Sequence, residues 1–126
     1  MLLDSNIIIY ALLPEHGALR SLIAEHAPSV SAVSYVEVLG YHGLTAGERA
    51  AFEKFFAAAR VLPIGNDVLL RATQLRQARK MSLGDALIAA TALEFGLRLV
   101  THNVRDYRWI AGLELLDPLA ERADTD

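Results

Sequence analysis

At 126 residues, 53% hydrophobic and 21% charged, with a formal net charge of −3, the chain has the size of one compact domain and leaves no room for a second. The absence of cysteine excludes disulfide frameworks and thiolate metal sites, and the small negative charge excludes a global electrostatic pull toward polyanions. No apolar stretch reaches the ~18 to 20 residues a membrane span needs; the richest, "DALIAATALEFGLRLV", carries Asp85, Glu94 and Arg98. With no leader pattern at the N-terminus either, the expectation is a cytoplasmic protein without a membrane partner.

In chain order, "MLL" predicts a short buried strand and Ser5 to Leu13 a helix, which Pro14 cannot continue. "GALRSLIAEHA" has a helical apolar period, Pro28 punctuates, and "SVSAV" reads as a strand. "SYVEVLGYHG" is predicted helical up to Gly43, and "TAGERAAFEKFFAAA" begins with a Thr cap and puts Phe52, Phe55 and Phe56 on one face. "RVLPI" is a strand, followed by two helices, "NDVLLRATQLRQARK" and "SLGDALIAATALEF", divided near Met81. "LRLVT" is a strand, "NVRDYRWIAG" a loop or short helix, and "LELLDP" a last strand. Strands separated by helices predict an α/β fold: a parallel sheet between two helical layers, over residues 1–120, with 121–126 as a fraying tail.

In such a sheet the crossover helices start at the carboxyl edge, where ligands collect. Asp4 ends the first strand. Glu37 follows the second and is expected in the first turn of its helix. Asp85 falls in the first turn of the helix before "LRLVT", and Asn103 and Asp106 follow that strand, so all five are expected at one rim. Each acid also has a purely structural explanation. Asp4 suits an N-cap, and Ser34-x-x-Glu37 and Ser82-x-x-Asp85 match the capping box. The two explanations are compatible, because an ionised carboxylate has about four lone-pair positions and serves an N–H and a cation together.

Two carboxylates ~4 Å apart repel by about 4 kcal/mol at an effective dielectric of 20, so converging acids either take up protons or recruit a cation. Oxygen ligands, without Cys or a helical His-x-x-x-His pair, select a hard ion, magnesium or manganese. Such an ion lowers the pKa of a bound water and neutralises phosphodiester charge, which suits phosphoryl hydrolysis without a His or Ser nucleophile.

Four segments, "LLDSNIIIYAL", "VSAVSYVEVLGY", "LGDALIAATAL" and "LVTHNVRDYRWIAGLELLDP", together resemble the PIN-domain ribonucleases, most closely the toxins of bacterial VapBC-type toxin-antitoxin pairs. The resemblance implies a three-layer α/β/α sandwich around a mostly parallel sheet, Mg²⁺- or Mn²⁺-dependent endoribonuclease activity, a homodimer, and neutralisation by a cognate antitoxin. It assigns metal binding and catalysis to Asp4, Glu37 and Asp85, support of the first acid to Asn6, and the hydroxyl of the last motif to Thr101. One departure stands out: a fourth acid often lies two residues after that Thr, where this chain has Asn103. Asp106, one turn on, either replaces it in part or caps the turn.

Beyond the acids, Arg105 and Arg108 flank the expected rim as candidate phosphate contacts. Arg71, Arg76, Arg79 and Lys80 form a basic helix surface near it, equally explained as a solvated face. His102 reads as an ordinary loop residue, and Tyr10, Tyr41, Tyr107 and Trp109 as packing aromatics before base-stacking ones. A phosphotransfer receiver would carry paired acids after its first strand, and an Asp-nucleophile phosphatase a second Asp at position 6. Neither is present. The remaining alternative is a domain of the same shape that binds RNA or a protein without cutting.

Overall fold

In a computed structural model, which describes residues 1–120, five short strands pair into one sheet. They are β1 (Leu2–Leu3), β2 (Ser29–Ser31), β3 (Arg60–Leu62), β4 (Leu99–Val100) and β5 (Leu115–Leu116), in the order β3-β2-β1-β4-β5. Every pairing is parallel, with Leu2 opposite Ser29 on one side and Leu99 on the other. The predicted 121–126 tail lies outside the described residues.

The connecting helices are α1 (Ser5–Ala11), α2 (Gly17–His26), α3 (Ala32–Leu39), α4 (Ala46–Ala58), α5 (Asn66–Ala78), α6 (Leu83–Phe95) and α7 (Val104–Tyr107), with a 3-10 turn at Pro14–His16. This reproduces the predicted succession of strands and helices. No single helix among the described residues is long and apolar enough to cross a membrane.

Strands of two or three residues offer few ladder hydrogen bonds, so burial of both faces holds the sheet. Each fully buried aliphatic side chain contributes about 1.5–3 kcal/mol. Successive strand residues alternate between two cores. Leu2 and Leu99 pack with Val68, Leu75, Ile88 and Tyr107 of α5, α6 and α7. Leu3, Val30 and Val100 pack with Ile7, Ile8, Phe52 and Phe56 from the opposite helical layer. Helix α6 is buried over Ala86–Ala92, and its alanines allow α3 and α5 to approach closely. Its N-terminus is therefore rigidly seated at the sheet edge. Thr45 and Glu48 form the capping box that opens α4.

The start of α3 differs from prediction. The Ser31 hydroxyl accepts from the Val33 N–H at 3.2 Å, so the helix begins at Ala32, not Ser34, and ends at Leu39, not Gly43. Glu37 consequently lies in the second turn rather than the first, and the Ser34–Glu37 capping box does not form. Ser34 is instead completely buried inside the helix, 2.9 Å from the Ser5 hydroxyl.

Candidate active site

The strand order reverses direction between β1 and β4, the place where open parallel sheets form a crevice at their carboxyl ends. Asp4 and Thr101 follow directly on these two strands. Asp4 occupies the N-cap position of α1, yet its side chain caps nothing. Only 4% exposed, its Oδ2 accepts a hydrogen bond from the Thr101 hydroxyl at 2.8 Å. The same Thr101 oxygen accepts from the Asn103 N–H at 3.0 Å, which orients the hydroxyl toward Asp4.

Glu37 reaches the rim from α3. Its Oε1 accepts from the Ser5 hydroxyl at 2.7 Å, and its other oxygen lies over the backbone of Gly84 in the first turn of α6. A Cβ at Gly84 would stand 2.3 Å from Glu37 Oε2, so only glycine leaves the space this carboxylate fills. Asp85 is the next residue. The Ser82 hydroxyl accepts from its backbone N–H at 3.1 Å, the first half of the predicted capping box. The Asp85 carboxylate takes a different donor: the hydroxyl of Tyr107, 2.9 Å from Oδ1.

Asp4 feels the charges of the other two acids. Burial raises the Asp4 carboxyl above its ordinary value; the Thr101 hydrogen bond opposes this, and the charges of Asp85 and, more weakly, Glu37 raise it again. Tyr107, 1% exposed, has its phenol pushed strongly upward, first by burial and then by the charges of Asp4, Asp85 and Glu37. It stays protonated and donates. Among the described residues none of the three acids is ion-paired.

This donor set, carboxylate oxygens sharing a negative field, fits a hard divalent cation in chemistry. The acids do not form a closed metal cage: among the described residues no three His, Cys, Asp or Glu side chains converge closely enough to hold an ion.

The auxiliary candidates divide. Asn6 is exposed on α1 and bonds to none of the three acids, and the buried support of Asp4 is Thr101. Asn103 contributes its N–H, not its side chain, to that support. Asp106 lies on α7 and lines, with Asp85, an open cleft of about 760 Å³ between α7 and the end of α5. Arg76, Arg79, Lys80 and Arg105 line the same cleft, whereas Arg108 does not. Arg71 leaves the basic surface it was assigned to, because its guanidinium pairs with Glu94 at 2.7 Å. His102 sits 3.1 Å from Asp117 and edge-on to Tyr10, and among the described residues it bonds to none of Asp4, Glu37 and Asp85.

Three supports escaped the sequence reading: Tyr107 as a donor to Asp85, Ser5 as a donor to Glu37, and Gly84 as the space for it. The glycine alone left a local sign, since a Gly in the first turn of an otherwise strongly helical segment costs helix stability and asks for a packing reason.

A family model described as PIN domain matches residues 1–112. Among solved structures, a toxin-antitoxin complex from Klebsiella pneumoniae aligns with a TM-score of 0.72 and 26% identity, covering 93% of this chain and 96% of that one. VapBC-1 from nontypeable Haemophilus influenzae aligns with a TM-score of 0.77 and 26% identity over the same shares. DNA-bound VapBC from Salmonella typhimurium shares the fold at a TM-score of 0.81, with 24% identity and the same coverage. No curated protein matches the sequence significantly.

Proposed function

The chain belongs to the PIN-domain family, generally nucleases, and from that premise we propose that it is a divalent-metal-dependent endoribonuclease, the toxin of a toxin-antitoxin pair. The observation that supports this reading is that the charges of Asp4, Glu37 and Asp85 all act on Tyr107, and those of Asp85 and Glu37 on Asp4, while each acid accepts from a separate neutral donor: Thr101, Ser5 and Tyr107. Three helix caps would have no reason to share a field.

Asp4 and Asp85 would hold Mg²⁺ or Mn²⁺, with Glu37 as third ligand or as the group that orients the attacking water. The bound ion supplies a water of lowered pKa and neutralises charge on the phosphodiester. The protein supplies placement. Hydroxyl donors aim the acids without introducing a competing cation, the Thr101 bond opposes the rise that burial imposes on the Asp4 carboxyl, and Glu37, with Oε1 engaged by Ser5, offers Oε2 to the incoming water. In the hydrolysis the water oxygen bonds to phosphorus while the bond to the leaving sugar oxygen breaks. Asn103 contributes no charge, and Asp106 is the one acid from the same loop that opens onto the cleft beside Asp85.

The neighbour named as a toxin-antitoxin complex, with the VapBC structures beside it, supports an antitoxin partner. So does a second surface: Ile9, Leu12, Leu13 and Tyr41 are exposed and line an apolar groove of about 720 Å³ between α1 and α4, the kind of patch that marks a protein contact. The homodimer and the cytoplasmic setting belong to the same proposal.

Incubation of the purified protein with a mixed RNA pool tests the activity. Fragments are expected in magnesium and none with EDTA or in an Asp4→Asn variant. Cleavage that persists with EDTA or in the variant would refute the mechanism, and intact RNA together with feeble magnesium binding would establish the non-cutting alternative. A second expected result concerns Tyr107. Tyr107→Phe removes the buried donor of Asp85 and little else, so manganese affinity should fall about 10-fold with an unchanged circular dichroism spectrum. Wild-type affinity in this variant would exclude Tyr107 from the site's support.

A further inference from the structure

We propose that the cleft between the end of α5 and α7 binds unpaired RNA beside the scissile phosphate, with Arg76, Arg79, Lys80 and Arg105 holding backbone phosphates and Trp109 carrying a base. The proposal rests on the nuclease reading and adds to it the path of the substrate and the residues that hold it.

The chain's net charge is −3, yet this cleft gathers four cations against two carboxylates, Asp85 and Asp106. None of the four is in an ion pair among the described residues. A helix C-terminus explains some of this charge, since cations are favoured there, and Arg76 does donate to the Met81 carbonyl at 3.3 Å. Arg105 enters the same cleft from a separate element, α7.

Trp109 packs in part against the core and also lines the cleft. Its indole N–H donates to the Asp106 carbonyl at 3.1 Å, and the Arg79 guanidinium stands 5.5 Å from the ring centroid. The ring is thus fixed in place at the cleft wall. Cations tracking a backbone beside a fixed aromatic ring are the pattern that binds single strands, whose bases are free to leave the stack. In a duplex those bases are occupied. Asp85 lines the same cleft, so a strand lying in it passes directly to the acids.

Trp109 is the chain's only tryptophan, so its fluorescence reports on this cleft and nothing else. The inactive Asp4→Asn protein in EDTA is titrated with a single-stranded RNA oligonucleotide and with the same sequence as a duplex; labelled-oligonucleotide anisotropy measures binding independently. The single strand should change Trp109 emission saturably and bind at least 10-fold tighter than the duplex. Combined Lys80→Glu and Arg105→Glu should weaken binding at least 10-fold. They should also make the slope of log K against log salt shallower by about 1.4, two phosphate contacts on a single strand. Arg49→Glu, on α4 in the opposite layer, should change neither.

Binding that leaves Trp109 emission untouched, that survives the double charge reversal, or that favours duplex overturns the proposal. Cleavage by the unsubstituted protein in magnesium is scored in parallel. A protein that cuts RNA but fails the cleft tests loses only the cleft, and one that passes them without cutting loses only the nuclease reading.

Discussion

Asp4→Asn should leave the protein better folded and inactive. Cleavage is expected to fall on the order of 10²- to 10³-fold, the scale of removing one charged or hydrogen-bonding group from a preorganised site. Stability should move the other way in the metal-free protein. Burial and the neighbouring charges of Asp85 and Glu37 raise the Asp4 carboxyl in the folded state, against the partial relief from Thr101. The folded chain therefore holds this proton to higher pH than the unfolded chain does, and stability is lost as pH rises through the folded-state value. An amide carries no such loss and still accepts from the Thr101 hydroxyl. The melting temperature of Asp4→Asn should exceed that of the parent at neutral pH, and the difference should fade in acid, where both are uncharged. A variant that melts lower at neutral pH would mean that Asp4 is a structural cap after all.

Gly84→Ala is the second large effect, and it too separates stability from activity. In a helix Ala is favoured over Gly by about 0.5–1 kcal/mol, so by propensity alone the variant should be more stable. The new Cβ, however, would stand 2.3 Å from Glu37 Oε2, closer than atoms approach. The obstructing atom is the end of a flexible, exposed side chain, so Glu37 moves rather than the helix, and its bond to Ser5 is lost. Cleavage should drop about 10- to 100-fold while the melting temperature holds or rises. Steady-state rates and thermal melts on one preparation settle it: full activity in Gly84→Ala would show that the placement of Glu37 is irrelevant to the reaction.

The alternation of strands and helices was legible because each helix carried its own apolar period and each buried strand a short apolar run between turn residues. The register of α3 was not. Ser31 and Ser34 are both good caps, and the choice fell to Ser31 because Ser34 is drawn inward toward Ser5, 29 residues away. That shift carried Glu37 from the first turn to the second, a change no local pattern announces. Arg71 shows the same limit, since its partner Glu94 lies on the next helix.

The acids could be nominated from the sequence because strand ends and helix starts meet at one edge of a parallel sheet. Their supports could not. The Thr101 to Asp4 bond spans 97 residues and the Tyr107 to Asp85 bond 22, and a tyrosine beneath a loop reads as core packing until its hydroxyl is seen to have a carboxylate partner. The cleft cations were visible as charges, but their convergence with Trp109 depends on α7 folding back beside the end of α5.

If Asp4, Glu37 and Asp85 serve one cation, manganese titration of the RNA-free protein, followed by loss of the free-ion electron paramagnetic resonance signal, detects it without reference to catalysis. Saturable uptake is expected of the parent protein, and at least 10-fold weaker uptake of each of Asp4→Asn, Glu37→Gln and Asp85→Asn. Parental affinity in any one of the three would contradict a shared ion.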